Sequence, residues 1–259
     1  MSTKNNIFKL NIKNKKKQVG IWNSLCSNIV ADALSGSGYD WVVIDMEHSP
    51  NNYQTILGQF QAYQASNTAT IIRPIWNDPV FVKPILDMGA QGILFPMIQN
   101  KEEAEKAISS IYYPPFGIRG VSLAHRANNY GRDKDYFEKF TENFCTILQI
   151  ETKEALLNIR DIASVKGVDG IFFGPADLSA DYGILGKTLD KNLWENIQNS
   201  LKILQDLGKP AGTLVGDADF AIQLFEKGFT FVACSSDQNI LVKNADLQIK
   251  KIKEGISSL

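Results

Sequence analysis

Eight short apolar runs, each followed by a longer stretch of amphipathic spacing, recur from one end of the chain to the other. The runs are Val19–Leu25, Trp41–Asp45, Thr70–Arg73, Gly92–Phe95, Thr146–Ile150, Gly170–Phe173, Pro210–Val215 and Phe229–Ala233. Most are nearly continuous in apolar character rather than alternating, as parallel strands covered on both faces must be. Between them, Lys101–Ser110, Glu154–Ser164, Leu193–Leu207 and Ala218–Lys227 carry helical spacing. Gly38, Gly89, Gly167, Gly208 and Gly228 stand where helices would hand over to strands. Eight strand-then-helix units predict an α/β fold, a single (β/α)8 TIM barrel over residues 1–259, with an open doubly wound sheet as the competing arrangement. A length of 259 residues suits one such barrel.

The side-chain inventory narrows the function classes. With 27 basic against 28 acidic residues the net charge is −1, which gives no electrostatic reason to expect nucleic acid or an anionic membrane as partner. The local excess at Lys13–Lys17 reads as a solvated helix end or a mobile arm. Cys26, Cys145 and Cys234 are widely spaced beside apolar residues, which suits reduced thiols in or near a core. No apolar run approaches the roughly 20 residues that span a bilayer, and the N-terminus lacks a signal-peptide core, so the cytoplasm is expected.

In a barrel of this kind, chemistry collects where strands end. The second run ends in Asp45-Met46-Glu47-His48, the third in Arg73-Pro74, the fifth in Gln149-Ile150-Glu151-Thr152, and the sixth in Gly174-Pro175-Ala176-Asp177. Glu151 and Asp177, on neighbouring strands, would repel each other unless a hard divalent cation lay between them; either alone could simply cap a helix. Asp45, three residues before His48, is expected to orient that imidazole for proton transfer, with Glu47 as a further participant or a hydrogen-bond partner. Arg73 keeps its charge at any working pH and suits an oxyanion or a carboxylate. The turn from Gly174 to Asp177 offers backbone N–H groups to a substrate carboxylate. His125-Arg126, in the long excursion from Tyr112 to Arg132, is a weaker candidate for contact with a second substrate, against a solvated basic loop. Gly36-Ser37-Gly38 precedes a strand and lacks a third glycine, so a helix C-cap explains it better than a dinucleotide loop.

Taken together, these residues resemble the HpcH/HpaI aldolase/citrate lyase family, the class II pyruvate aldolases. The likeness runs through Gly20-Ile21-Trp22, Gly38-Tyr39-Asp40-Trp41, Asp45-Met46-Glu47-His48, Arg73, Gly117-Ile118-Arg119-Gly120, Gln149-Ile150-Glu151-Thr152, Gly167-Val168-Asp169-Gly170 and Phe173-Gly174-Pro175-Ala176-Asp177-Leu178-Ser179. The resemblance implies a phosphoenolpyruvate/pyruvate-type barrel with Glu151 and Asp177 as ligands of Mg2+, Mn2+ or Co2+. It implies Arg73 beside the keto oxygen of pyruvate and His48, supported by Asp45, as the proton-transfer group. Gln149 and residues Gly174, Pro175, Ala176 and Asp177 would contact the substrate. It also implies a homo-oligomer, a hexamer built as a trimer of dimers, with the C-terminal helix exchanged between subunits. Met46 and the loop around His125 depart from the family's usual smaller residues, which touches acceptor specificity more than reaction class.

The reaction implied is reversible aldol cleavage of a 4-hydroxy-2-oxo acid to pyruvate and an aldehyde. A rival on the same fold is a Claisen-type condensing enzyme, similar to the citrate synthases of siderophore pathways, joining acetyl-CoA or another acyl donor to oxaloacetate, and able to work without metal. A non-catalytic small-molecule binding protein is the third reading; loss of the carboxylates or the histidine would favour it, and all are present.

Overall fold

The computed structural model describes residues 6–257. Eight strands, β1 (Gln18–Asn23), β2 (Trp41–Asp45), β3 (Ala69–Arg73), β4 (Gly92–Phe95), β5 (Cys145–Ile150), β6 (Gly170–Phe173), β7 (Ala211–Val215) and β8 (Phe231–Ser236), close in sequence order into one barrel. Every neighbouring pair is parallel, β8 returning to β1. Closure removes the open doubly wound sheet from consideration. The surrounding helices are α1 (Ile7–Lys13), α2 (Asn28–Ser35), α3 (Tyr53–Tyr63), α4 (Pro79–Met88), α5 (Lys101–Ile111), α6 (Tyr136–Asn143), α7 (Lys153–Leu157), α8 (Ile159–Ser164), α9 (Pro175–Asp181), α10 (Lys191–Asp206), α11 (Ala218–Lys227) and α12 (Asp237–Ile256).

Strand alternation sorts the apolar runs into two cores. Trp41, Val43, Ala69, Ile71, Cys145, Ile147 and Phe172 pack together in one cluster, the barrel interior. Ile44, Ile72, Ile93, Leu148, Ile150, Ile171 and Phe173 belong to a second cluster shared with the helices. The interior series has a period of two, so continuing it toward the strand ends brings in Asp45 on β2, Arg73 on β3, then Gln149 and Glu151 on β5. The polar residues at the mouth are therefore the last members of the inward-facing rows.

The opposite end of the barrel is closed by α1. Phe8 and Ile12 join the interior cluster, the Phe8 ring lying 5.4 Å from Trp41 and 5.7 Å from Phe231. Asn6 caps this helix, accepting from the Lys9 N–H at 3.0 Å, and donates to the Gln91 carbonyl at 2.7 Å. Lys9 pairs with Asp169 at 3.2 Å and donates to the Phe144 carbonyl at 2.7 Å. The Lys13–Lys17 run is thus the solvated end of a plugging helix.

Three local expectations change. The Glu154–Ser164 helix is split at Asn158, whose side chain donates to the Gln99 carbonyl at 2.9 Å instead of lying on a continuous helical face. The final strand starts at Phe231; Phe229 turns outward against Phe173 and Trp194. The excursion after α5 packs at the plugged end, not at the mouth. Its Arg126 donates to the Met88 carbonyl at the end of α4 at 2.6 Å, and the Tyr112 hydroxyl crowds Gly167 just before β6. His125 is buried, its Nδ1 accepting the Asn128 N–H at 3.3 Å and its ring set edge-on to Tyr136. In this chain, then, His125-Arg126 is part of the loop's own packing and lies away from its own strand-end residues.

The helix α12 stands apart. Among its described residues only Asp237 is buried, while Leu241, Leu247, Ile249, Ile252 and Ile256 are exposed along its length. No described helix is long and apolar enough to cross a membrane.

The plug generates the first prediction. Phe8→Ala removes a fully buried ring from the barrel interior and should cost about 3–5 kcal/mol of unfolding free energy. Urea denaturation measures it; a loss under about 1 kcal/mol would show that α1 merely rests on the barrel.

Candidate active site

The register of β2 and β3 sets Asp45 directly beside Arg73. The guanidinium grips that carboxylate with two bonds, Nε to Oδ1 at 2.8 Å and Nη2 to Oδ2 at 2.6 Å. Its third nitrogen, Nη1, lies 2.9 Å from Glu47 Oε2. Trp22, the last inward apolar residue of β1, lies with its ring 5.0 Å from the guanidinium carbon and donates from Nε1 to Asp45 at 3.3 Å. Burial opposes the charge on Asp45, but the hydrogen bonds and charge of Arg73 outweigh it and hold the carboxyl below its ordinary range. The same pairing, against the same burial, raises the pKa of Arg73, so the ion pair is charged at any working pH.

Asp45 does not reach the His48 imidazole as expected. Its oxygens are taken by Arg73, Trp22 and the backbone N–H groups of Glu47 and His48. The imidazole instead projects at the rim, 65% exposed, with Glu47 Oε2 3.9 Å from its Nε2. The reason is local. Beyond the strand end, Met46 turns into the helix-facing core, Glu47 returns inward, and His48 is carried outward on the loop. That loop is pinned from below, where Asn51 donates to the Asp45 carbonyl at 2.7 Å and accepts from Thr55 and Gln59.

Across the mouth, Ile150 and Phe173 are register partners, so Glu151 and Gly174 follow one another around the barrel. A Cβ on Gly174 would sit 2.5 Å from Glu151 Oε1, so only glycine admits the carboxylate here. Glu151 accepts from the Met97 N–H at 3.0 Å and from Gln149 Nε2. Burial, then the charge of Asp177, push its carboxyl up to about 8 despite the Met97 bond. Glu47 is also raised, by burial foremost, with Asp45 and Asp177 adding to it. Gln149 Oε1 is buried and has no hydrogen-bond partner among the described residues.

These groups share one cavity of about 480 Å3, lined by His48, Arg73, Gln149, Glu151 and residues 174–177. Trp22, Phe172, Thr188, Leu189 and residues 214–217 complete it. Sequence reasoning passed over this second group. Trp22 and Phe172 lie within apolar runs, residues 188 and 189 lie far from any strand end, and Asp217 serves as the cap of α11. The strand-end rule applied to β7 would have found residues 214–217.

Fold and site together define a (β/α)8 barrel whose C-terminal mouth joins a buried arginine to a pair of close carboxylates. The HpcH/HpaI aldolase/citrate lyase model matches residues 18–244, and the chain belongs to that family. It is 43% identical over 242 residues to a 4-hydroxy-2-oxo-heptane-1,7-dioate aldolase of Shigella flexneri, covering 93% of this chain and 91% of that one. A protein of the same description from Klebsiella pneumoniae is 43% identical over 243 residues, covering 93% and 92%. Among solved structures, an HpcH/HpaI family protein from Burkholderia cenocepacia superposes with a TM-score of 0.92 at 30% identity, covering 96% and 99%. The citrate synthase SbnG superposes with a TM-score of 0.86 at 27% identity, covering 96% and 98%.

The raised carboxyl has a thermodynamic signature. Glu151 titrates near 4.3 in an unfolded chain and at about 8 in the folded, metal-free protein. Between these values the folded state binds more protons, so its contribution to stability is full below about pH 4 and is lost as pH rises toward 8. Thermal unfolding of chelator-treated protein should show this decline, and Glu151→Gln should flatten it. An identical slope in the variant would place the proton elsewhere.

Proposed function

We propose that this chain is a carbon–carbon lyase that reversibly cleaves a 4-hydroxy-2-oxo acid to pyruvate and an aldehyde with the help of a divalent cation. The observation that carries the reading is the Glu151–Asp177 pair, two carboxylates crowded in one cavity whose nearest arginine is already engaged by Asp45 and Glu47. Such a pair suits a hard cation, and the unpartnered Gln149 Oε1 adds a polar oxygen beside it. Mg2+, Mn2+ or Co2+ held by Glu151 and Asp177 would polarise the keto acid and make its enolate accessible. Among the described residues no three His, Cys, Asp or Glu side chains converge on a common point, and on this reading the protein contributes these two carboxylates.

Each remaining group has a place in the cleavage. Arg73, fixed by Asp45, directs charge at the C2 oxygen, where the enolate's negative charge develops. The N–H groups of Ala176 and Asp177, in the first turn of α9, face the pyruvate carboxylate, and Gly174 and Pro175 shape the turn that presents them. Gln149 sets Glu151 in position. His48 takes the proton of the C4 hydroxyl, the C3–C4 bond breaks, and its electron pair passes into the enolate as the aldehyde carbonyl forms. A proton returned to C3 completes pyruvate. The condensing alternative has a structural counterpart in SbnG, but the aldolase relatives stand nearer, at 43% against 27% identity.

We also read the protein as a cytoplasmic homo-oligomer, a trimer of dimers, in which α12 is exchanged between subunits of an otherwise single barrel domain. The exposed apolar row on α12 supports this. Replacing Ile249 and Ile252 by Asp should lower the mass measured by light scattering, and an unchanged mass would rule the helix out as an interface.

The catalytic assignment is tested by separating proton transfer from metal binding. His48→Ala should lose about 10²–10⁴-fold in cleavage rate while binding metal as the parent does. Glu151→Ala and Asp177→Ala should weaken the metal and recover in part at high metal concentration. Arg73→Ala should suppress hydrogen exchange at the pyruvate methyl along with cleavage. If His48→Ala binds metal as poorly as the carboxylate variants, the histidine is a ligand and the scheme is wrong. Full activity after chelation, with citrate formed from acetyl-CoA and oxaloacetate, would favour the condensing enzyme.

A further inference from the structure

The cavity changes character from floor to rim. Its floor is made by buried Trp22, Arg73, Gln149, Glu151 and Phe172; its rim by His48, Ala176, Thr188, Leu189, Gly216 and Asp217. Among the described residues lining it, Arg73 is the one cation of fixed charge, and it lies at the floor in the grip of Asp45 and Glu47. The rim instead offers a carboxylate, a hydroxyl and the exposed side chain of Leu189. Asp217 uses Oδ1 to accept the Phe220 N–H at 2.7 Å as the cap of α11; its other oxygen takes no hydrogen bond among the described residues. Next to it, a Cβ on Gly216 would meet nothing within 4 Å, which leaves open space on that side.

On the aldolase reading, pyruvate occupies the floor and the aldehyde half of the substrate extends to the rim. We propose that the rim selects an uncharged, hydroxyl-bearing aldehyde over one whose far end carries a carboxylate, and that Asp217 is the discriminating residue. A hydroxyl donates to the open oxygen of Asp217 and can exchange hydrogen bonds with Thr188. A distal carboxylate meets Asp217 as a like charge, with no fixed cation among the described rim residues to balance it, and like-charge contact is a strong means of rejecting a ligand. This separates the chain from relatives named for heptane-1,7-dioate chemistry, whose cleavage releases an aldehyde with a carboxylate at its far end.

The cap itself does not require charge, because asparagine serves as well as aspartate at a helix N-cap, so Asp217→Asn is expected to fold. The experiment measures kcat/KM for addition of pyruvate to glycolaldehyde and to succinic semialdehyde by the parent, Asp217→Asn and Asp217→Lys. Hydrogen exchange at the pyruvate methyl is followed in each. The parent should favour glycolaldehyde by about tenfold or more; the Asn variant should narrow that ratio and the Lys variant should reverse it. A parent that prefers succinic semialdehyde, or a ratio that neither variant moves, overturns the proposal while exchange shows the pyruvate half intact. Absence of exchange in the metal-supplied parent would sink the pyruvate reading, and this proposal with it.

Discussion

The two hydrogen bonds between Arg73 and Asp45 decide the electrostatics of the whole mouth. A guanidinium buried to this degree would be costly if left unpaired, and the strand register supplies its partner without any loop having to move. The consequence reaches across the barrel. Because Arg73 is already held by Asp45 and Glu47, its charge does not offset the burial of Glu151 and the neighbouring Asp177. Glu151 therefore sits in a buried site with a second carboxylate as neighbour, and its carboxyl rises to about 8. The site resolves that conflict either by holding a proton or by accepting a cation. The first pairing creates the need that the second carboxylate pair expresses.

The ends of the barrel differ in how they treat charge. At the plugged end, Lys9 meets Asp169 and the Phe144 carbonyl, and Arg119 meets Asp87 at 2.7 Å between the rings of Tyr113 and Phe140. Cations there are matched by acids or by aromatic faces. At the mouth, Asp177 raises the proton affinity of both Glu47 and Glu151, and Glu47 adds to that of Glu151. Opposite charges brought together stabilise a fold; like charges brought together are kept for a ligand. This contrast also explains why the long excursion, for all its histidine and arginines, is a packing element of its own chain.

Most of the barrel was legible because continuous apolar runs admit little else at this length, and because parallel strands need covering helices. Boundaries slipped where a side chain made a tertiary bond that no local pattern announces, as at Asn158, or where an aromatic residue had two cores to choose from, as at Phe229. The site was legible where polar residues end an inward row: Asp45, Arg73, Gln149 and Glu151 all do. It was illegible where the lining is apolar or serves two purposes. Trp22 and Phe172 are ordinary interior residues until the cavity floor is seen, and Asp217 satisfies a helix N-terminus whether or not a substrate is present.

The pairing of Asp45 with His48 is the instructive departure. Three residues apart in sequence suggests a contact, but alternation assigns the two side chains to different surroundings. Asp45 ends an inward row beside Arg73; His48 leaves the row and stands at the rim, with Glu47 its nearest acid. The separation suits the chemistry. On the proposed scheme, enolate charge develops at a site that must not move, beside a guanidinium fixed by two bonds and an aromatic face. On the same scheme the C4 hydroxyl belongs to the variable half of the substrate, and its proton would be met by His48, an exposed side chain with room to follow it. The scheme thus gives the fixed half of the mouth to the keto acid and leaves the choice of aldehyde to the residues at the rim.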